Sequence, residues 1–343
     1  MSGCGAPDSP RSGARLPARR DARARGARRG RVAGARAGAS REAEEGGARV
    51  IDGFLVIDKP AGVTSHDVVQ EVRRWAKQRR VGHLGTLDPL ATGVLPIALG
   101  EATKLSQLLT HGEKSYRGKL RLGIETTTYD REGEITRETS GPWPDAEALE
   151  RALEAFRGEI EQVPPPYSAV KTGGEAAYRR ARRGEEVVLE PRRVTIRRLE
   201  LVAYEPPFVT IEVDCSSGTY LRSMAHDLGR ALGVGAHLWE LCRTRSGPFT
   251  SAQAVPLAEL EALGHERVIP MIAATGLPTF EVDARTSRRV ANGVQLGRSE
   301  VKGAPTEGVM QLVHAGGLVA LVEAQRGIPE LRTIRVFLEG SEG

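Results

Sequence analysis

Apolar and polar positions along the chain repeat with two different periods, and the first clear repeats predict a strand followed by a helix. Residues 53–58 form a short apolar run that is typical of a strand. Beyond a turn at 59–62, apolar residues recur at helical spacing over 68–76, and Thr64 or Ser65 is the expected N-cap. The chain is therefore predicted to enter its fold as strand, turn and helix.

Several more strands are predicted further along. Apolar runs predict a buried strand near 93–99 and a strand over 115–124 that has Tyr116 near its start. Residues 209–216 alternate cleanly between apolar and polar, which predicts a half-buried strand. A boundary falls near 273–277. After it, short apolar runs with glycine punctuation predict strands at 309–313, 317–322 and 334–337.

Helical spacing of apolar residues predicts two further helices. The first passes through Leu149 and Leu153 and ends at Gly158, since glycine commonly terminates a helix. The second begins at about Thr219 and carries Leu221 and Leu228 on one face. Strands and helices do not alternate regularly along the chain, which indicates an α+β fold.

Basic charge is concentrated in the first 49 residues. The chain of 343 residues has a net charge of +5, but the leader at 1–49 contains twelve arginines and five acidic residues, a balance of +7. The remainder therefore carries −2. Such a body would bind nucleic acid through local basic surfaces rather than a general positive field. The leader has almost no large apolar residues, and we expect it to be disordered.

The apolar runs and the cysteines narrow the class of protein. No apolar run approaches the ~20 residues needed to cross a bilayer, and the N-terminus lacks the apolar segment of a secretory signal. Cys4, Cys215 and Cys242 form no CxxC pair, so the spacing of a metal site is absent. We expect a reduced, cytoplasmic protein with no membrane association and no metal.

One loop surrounds a single carboxylate with residues that restrict the backbone. The run Gly82–Pro96 reads GHLGTLDPLATGVLP and contains Asp88. We expect Gly82, Gly85 and Gly93 to adopt positive φ or to admit another group at close range. Aspartate before proline is also an ordinary turn opener. Composition alone therefore favours a plain turn.

Motifs that follow one another in a fixed order change this interpretation, because they resemble the TruB family of bacterial tRNA pseudouridine synthases. The resemblance runs from about Gly53 to Thr250. Its motifs are Asp58–Ser65, Gly82–Pro96, Gly100–Lys104, Lys114–Gly118, Pro164–Lys171, Tyr178–Gly184, Cys215–Arg222 and Gly235–Leu241. A weaker likeness links 291–296 and 334–337 to the small PUA domain that follows many pseudouridine synthases.

The resemblance implies an α+β pseudouridine synthase fold with a mixed, largely antiparallel central sheet and flanking helices. It implies a catalytic domain over 50–275 and a small PUA-like β-barrel over 276–343 that binds RNA. The leader at 1–49 is either a basic arm that adds RNA affinity or the result of a start site assigned too far upstream. We favour the second interpretation, because the resemblance begins only at about Gly53.

The resemblance implies that Asp88 is the catalytic carboxylate and that Arg222 is its ion-pair partner. A nearby guanidinium would keep the carboxylate charged and aimed as water is excluded. Tyr116 is then expected to stack on the flipped uracil, and its hydroxyl to serve in proton transfers. Taken alone, Arg222 would be a surface arginine and Tyr116 a core aromatic.

The resemblance also implies substrate contacts, each of which has a plain packing or surface alternative. Tyr220 would contact the flipped nucleotide, and Leu241 would form an apolar wall beside the base. Lys59 would support the site or contact phosphate, and His83 would enter the RNA loop. The remaining expected RNA contacts are Lys171, Tyr178 and Arg182. Their spacing fits equally the solvated face of an ordinary helix.

The implied reaction is the conversion of uridine 55 in the TΨC loop of tRNA to pseudouridine, by base flipping and without a cofactor. We expect the T-arm stem-loop of tRNA as the partner, no guide RNA, and a monomer. The alternatives are a synthase of the same fold that acts on another RNA, an RNA-binding chaperone, and a hydrolase that uses Asp88. The combination of Asp88, Tyr116 and Arg222 speaks against the chaperone.

Overall fold

The described part of the chain folds into helices and strands in mixed order. A computed structural model describes residues 50–185 and 187–337, and the leader expected to be disordered, at 1–49, lies outside the described residues. Within the described ranges, no helix is both long enough and apolar enough to span a membrane. The helices are α1 (Ser65–Ala76), α2 (Ser106–Thr110), α3 (Ala146–Glu154), α4 (Ala177–Arg182), α5 (Leu221–Ala231), α6 (Met271–Thr275) and α7 (Ala284–Ala291). The strands are β1 (Gly53–Lys59), β2 (Val81–His83), β3 (Thr92–Leu99), β4 (Lys114–Leu122), β5 (Ile124–Thr126), β6 (Ile135–Glu138), β7 (Gly158–Gln162), β8 (Lys171–Thr172), β9 (Glu175–Ala176), β10 (Arg192–Glu205), β11 (Phe208–Cys215), β12 (Ala236–Ser246), β13 (Phe249–Thr250), β14 (Val255–Pro256), β15 (Thr279–Glu281), β16 (Leu296–Gly297), β17 (Gly308–His314), β18 (Gly317–Ala324) and β19 (Glu330–Val336).

A mixed sheet forms the centre of the described structure. Its strands lie in the order β14-β1-β3-β12-β4-β11-β10-β7, with β2 paired to β3 and β13 to β12. The pairs β1–β14 and β3–β12 are parallel, and the other pairs are antiparallel. The prediction of an α+β fold with a mixed, largely antiparallel sheet is therefore confirmed. In this order, β12 lies between β3 and β4.

Helix α1 begins where the sequence predicts. Thr64 is the N-cap: its hydroxyl accepts from the backbone N–H of Asp67, and the Asp67 carboxylate accepts from the N–H of Thr64. This reciprocal capping box satisfies two N–H groups that the helix itself cannot pair. Val68 and Val72 lie on the buried face. The cap and the apolar stripe together place α1 against the sheet.

Alternate residues of the central strands enter different cores on the two faces of the sheet. In β1, Leu55 and Ile57 belong to the core beneath α1, α3 and α5. Phe54 and Val56 point the other way and belong to a second core. Since successive side chains of a strand point to opposite faces, this strand is buried on both sides.

The last strands form a separate five-stranded sheet in the order β15-β17-β18-β19-β16. The strand predictions near 309–313, 317–322 and 334–337 are thus confirmed. Leu318 and Phe337 from these strands share the second core with Phe54 and other residues of the central sheet. The C-terminal sheet is therefore packed against the face of the central sheet that the α1 helix does not cover.

Two predicted helix ends and one strand end differ from the structure. Helix α3 ends at Glu154, and Gly158 uses its positive φ of 84° at the start of β7. Helix α5 begins at Leu221, because the Thr219 hydroxyl donates to the carbonyl of Ser216 in a turn ahead of the helix. The strand predicted over 115–124 stops at Leu122, where Gly123 takes a φ of 89°.

Candidate active site

The loop between β2 and β3 presents Asp88 to solvent while its neighbours are buried. Leu87 and Leu90 enter the main core and are 4% and 3% exposed. The Asp88 side chain is 37% exposed. Because the apolar neighbours anchor the loop from below, the carboxylate is held at the surface of a cleft.

Side chains from outside the loop bind its backbone groups. The Ser65 hydroxyl donates to the carbonyl of Leu87 at 3.0 Å and accepts from its N–H at 2.8 Å. The Lys59 amine donates to the carbonyls of Pro89 at 3.2 Å and Ala91 at 2.6 Å. Lys59 is fully buried, which lowers the pKa of its amine to about 8. The buried position of the amine and its bonds to loop carbonyls fit the expected support of the site better than the expected contact with phosphate.

Arg243 on β12 binds the other side of the same loop. Its Nε donates to the carbonyl of Val94 at 2.7 Å, its Nη2 to that of Gly85 at 3.1 Å, and its Nη1 to that of Thr86 at 3.4 Å. The guanidinium also lies close to the hydroxyl of Tyr116 and interacts with it electrostatically. Arg243 is 1% exposed. Two buried cations thus bind the loop from opposite sides.

Two of the three glycines expected to shape this loop do so. Gly85 and Gly93 have φ values of 100° and 95°. Gly82 does not have a positive φ, and a Cβ there would meet no described protein atom within 4 Å, so the expected close approach of another molecule stays a prediction. Gly82 pairs with Ala98 as an ordinary strand residue. The positive φ values of this loop therefore begin only after β2.

Asp88 and Arg222 form an ion pair across the cleft. The Oδ2 atom of Asp88 lies 2.9 Å from Nε of Arg222. The Nε–H is not aimed at this oxygen, so the contact is an ion pair rather than a hydrogen bond. The Arg222 side chain is 6% exposed. A nearly buried cation beside a half-exposed carboxylate leaves the carboxylate open to a ligand.

Arg222 is fixed by three further acceptors. Its Nη1 donates to the carbonyl of Thr128 at 3.2 Å, and its Nη2 donates to that of Tyr167 at 3.0 Å. The Oδ2 atom of Asp130 lies 3.7 Å from Nη1. Asp130 is itself held, because its Oδ1 accepts from the Thr128 hydroxyl at 2.6 Å and from the N–H of Glu132 at 3.0 Å. The guanidinium therefore has little freedom to leave Asp88.

Tyr116 lies on β4, beside the ion pair. It is 9% exposed, and burial raises the pKa of its hydroxyl. Its register partner on β12 is Arg243, which places the guanidinium close to the phenol. The raised pKa means that the phenol carries its proton near neutral pH, and this O–H lines the cleft.

A cleft of about 540 Å³ brings most of the expected residues together. Asp88, Arg222 and Tyr116 line it, as do Tyr220 and Leu241. The pKa of the Tyr220 hydroxyl is raised by burial. Leu241 is 8% exposed and belongs to the main core, so it forms an apolar wall. No cluster of His, Cys, Asp and Glu side chains suited to a metal ion occurs in the described ranges.

The expected RNA contacts are divided between the cleft and its surroundings. Tyr178 and Arg182 line the cleft from α4, and the Arg182 guanidinium lies 5.7 Å from the Tyr178 ring. Lys171 is exposed on β8 and does not line the cleft. His83 ends β2 outside the lining, and its enclosed Nδ1 has no hydrogen-bond partner among the described residues.

Three residues of the site were missed by sequence reasoning. Asp130 and Lys114 line the cleft, and Arg243 binds its loop. For Arg243 a signal was present, because it lies two residues after Leu241 on a strand and so shares its face. No sequence signal pointed to Asp130, since the loop that contains it has no periodic pattern of apolar residues. Burial lowers the pKa of the Lys114 amine to about 8.

Known protein families match most of the described chain. The model of the TruB family pseudouridylate synthase N-terminal domain matches residues 73–221, and that of the tRNA pseudouridylate synthase B C-terminal domain matches 222–268. A protein of Solibacter usitatus named tRNA pseudouridine synthase B is 48% identical over 280 residues, which cover 80% of this chain and 96% of that protein. A protein of the same name from Pseudomonas aeruginosa is 51% identical over 221 residues, or 64% of this chain and 71% of the relative.

Solved structures resemble the fold. A chain in the crystal structure of a Cbf5-Nop10-Gar1 complex superposes with a TM-score of 0.65 at 28% identity, covering 83% of this chain and 85% of that one. A chain in the structure of an H/ACA RNP bound to a substrate RNA containing 2'-deoxyuridine gives a TM-score of 0.63 at 27% identity, with coverage of 83% and 85%. The central sheet and the C-terminal sheet therefore belong to a known architecture.

Proposed function

Since the chain belongs to the TruB family of pseudouridylate synthases, we propose that it converts uridine 55 in the TΨC loop of tRNA to pseudouridine. The observation that carries this proposal is the ion pair of Asp88 and Arg222 in a cleft with Tyr116. The name shared by its relatives, tRNA pseudouridine synthase B, supports tRNA as the substrate.

The reaction requires that the nucleotide and its detached base be positioned, and it does not require a group supplied by a cofactor. The bond from uracil N1 to ribose C1′ breaks, the ring turns, and a bond from C5 to C1′ forms. C5 then loses its proton and N1 carries one, so the product is an isomer of the substrate. No atoms are lost and there is no net oxidation or reduction, so the proposal includes no cofactor. The target nucleotide must leave the RNA stack. A cleft of about 540 Å³ is large enough to hold one nucleoside while its base rotates.

Asp88 is the proposed catalytic residue. Its carboxylate is accessible from the cleft and forms an ion pair with Arg222. The ionised oxygen can meet positive charge that develops at the ribose or can add to the sugar or the base. In each case Arg222 would act through its charge, because its hydrogen bonds to the carbonyls of Thr128 and Tyr167 keep the guanidinium beside the carboxylate.

Aromatic and apolar side chains are proposed to retain the detached base. Tyr116 would stack on the uracil, and its protonated hydroxyl would donate during proton transfer. Tyr220 would contact the nucleotide from the start of α5, and Leu241 would exclude water beside the ring. Exclusion of water matters because a lost base would leave an abasic site.

The remaining proposals concern the whole molecule. We propose a catalytic domain over 50–275 and an RNA-binding, PUA-like domain over 276–343, which the separate C-terminal sheet supports. The T-arm stem-loop would lie across the cleft, with contacts from Tyr178 and Arg182. Identity is higher to the relatives named tRNA pseudouridine synthase B than to chains of the H/ACA complexes, which supports action without a guide RNA. The protein is proposed to act as a monomer.

The test is to incubate the purified protein with an unmodified tRNA transcript and to map pseudouridine by chemical labelling and primer extension. We expect a single modified position, 55, and none in a transcript with cytidine at that position. An isolated T-arm stem-loop should also be modified. Modification at another position, or in another RNA in preference to tRNA, would overturn the proposed substrate.

A further inference from the structure

A buried arginine connects the loop of Asp88 with Tyr116. Arg243 is paired in register with Gly93 of β3 on one side and with Tyr116 of β4 on the other. Its strand, β12, is the neighbour of both strands in the central sheet. The side chain of Arg243 thus binds the loop by hydrogen bonds and lies beside the phenol.

The hydrogen bonds of Arg243 go to groups that matter for the reaction. Three of its N–H groups bind carbonyls of Gly85, Thr86 and Val94, which lie on either side of Asp88 in the chain. The guanidinium also lies close to the hydroxyl of Tyr116, its cross-strand neighbour, and interacts with it electrostatically. A single planar guanidinium therefore lies between the carboxylate loop, which it binds, and the phenol, which it approaches.

Arg243 has no charged partner that would explain its burial. Among the described residues, no carboxylate lies within ion-pair distance of Arg243; its titratable neighbours are the phenol of Tyr116 and the basic side chains of Lys59, His83 and Lys114. Burial of a guanidinium without a carboxylate is costly, since the charge loses its hydration. Packing alone would be served better by an apolar side chain on this inward strand position.

We propose that Arg243 is a positioning residue for the isomerisation, which sets the Asp88 loop and the Tyr116 hydroxyl in one geometry. This inference rests on the proposed function. Loss of the guanidinium would let the two groups drift apart, and a misplacement of about 1 Å can lower a rate by roughly 100-fold. The affinity for tRNA would change little, because Arg243 is buried and would not contact a phosphate.

The test compares Arg243→Lys with Arg245→Lys in the full chain. Arg245 lies two residues further along β12, where its Nε donates to the Ser115 hydroxyl at 3.0 Å and it does not contact the loop. We expect Arg243→Lys to lower the single-turnover rate of pseudouridine formation by roughly 100-fold and to leave the Kd for tRNA nearly unchanged. Arg245→Lys should keep both values.

A double variant separates positioning from general damage. If Arg243 acts partly through the phenol, Arg243→Lys combined with Tyr116→Phe will lose less rate than the product of the two single losses. Multiplicative losses, a wild-type rate in Arg243→Lys, or a loss confined to tRNA affinity would overturn the inference.

Folding is followed by circular dichroism, with Arg243→Gln as a second variant that keeps two N–H donors. Unfolding of both variants would show a structural role and overturn the inference. Wild-type protein is measured first on tRNA. Absence of turnover there would overturn the proposed function itself, whereas wild-type turnover with an unaffected Arg243→Lys would overturn the positioning role alone.

Discussion

Gly93 lies directly against the backbone of Arg243. A Cβ built at Gly93 would be 2.3 Å from the carbonyl oxygen of Arg243 and 3.0 Å from its nitrogen. The two residues are partners in the parallel pairing of β3 and β12. This close approach lets the guanidinium of Arg243 reach back to the loop that precedes β3.

Gly93→Ala should therefore destabilise the protein, and Gly82→Ala should not. The positive φ of 95° at Gly93 costs an alanine roughly 1–2 kcal/mol, and the clash with Arg243 adds to this cost. At Gly82 a Cβ meets nothing within 4 Å. Urea unfolding of both variants measures the difference. Equal free energies of unfolding would contradict the close approach of β3 and β12.

Asp88→Asn should abolish turnover while the affinity for tRNA stays within roughly tenfold of the wild-type value. The reason is that this one carboxylate contributes to the chemical step rather than to binding. The amide keeps the shape of the side chain but loses its charge beside Arg222. The control is Glu147→Gln, since this carboxylate is 85% exposed on α3. Single-turnover rates and tRNA binding are measured for both. Turnover at the wild-type rate in Asp88→Asn would refute the catalytic assignment.

Arg182→Ala and Lys171→Ala should weaken tRNA binding and make its salt dependence shallower. A lost phosphate contact lowers the slope of log K against log salt by about 1. Arg182 lines the cleft and Lys171 lies outside it, so the single variants show which of them contacts RNA. Arg151→Ala removes the same charge from α3 and should leave the slope unchanged. An unchanged slope in the double variant would exclude both residues as phosphate contacts.

Lys59 should make the stability of the protein depend on pH in a particular direction. Burial lowers its pKa from 10.5 to about 8. Between these values the unfolded chain holds a proton that the folded chain has released, so the free energy of unfolding rises with pH. Below pH 8 both states hold the proton and the contribution is flat. The same dependence is absent from Lys59→Met, which does not titrate.

The comparison is made by urea unfolding of wild type and Lys59→Met at pH 7.5 and at pH 9.5. The free energy of unfolding of wild type, relative to that of the variant, should be higher at pH 9.5 than at pH 7.5. A constant difference, or one that shrinks, would show that the amine is hydrated in the folded protein. The variant also serves as its own control for every other group that titrates in this range.

Local sequence patterns predicted elements well where a residue's environment is set by its near neighbours. Thr64 and Asp67 cap α1 because both partners lie within one turn of each other. Strand β11 follows its period-two pattern because one face meets the core. The prediction that a helix ends at Gly158 was wrong, since a residue with positive φ can equally precede a strand. A glycine in the sequence indicates that a positive φ is possible, but not which element it ends or begins.

The sequence by itself determined the α+β class, several of the elements and, through its ordered motifs, the family and the choice of Asp88, Tyr116 and Arg222 as candidates. These features depend on local periodicity and on residue identity. The tertiary structure alone decided that Asp130 reaches Arg222, and that buried Lys59 and Arg243 hold the loop. A charged residue looks alike in sequence whether it faces water or a ring of carbonyl groups, because its partners come from distant strands.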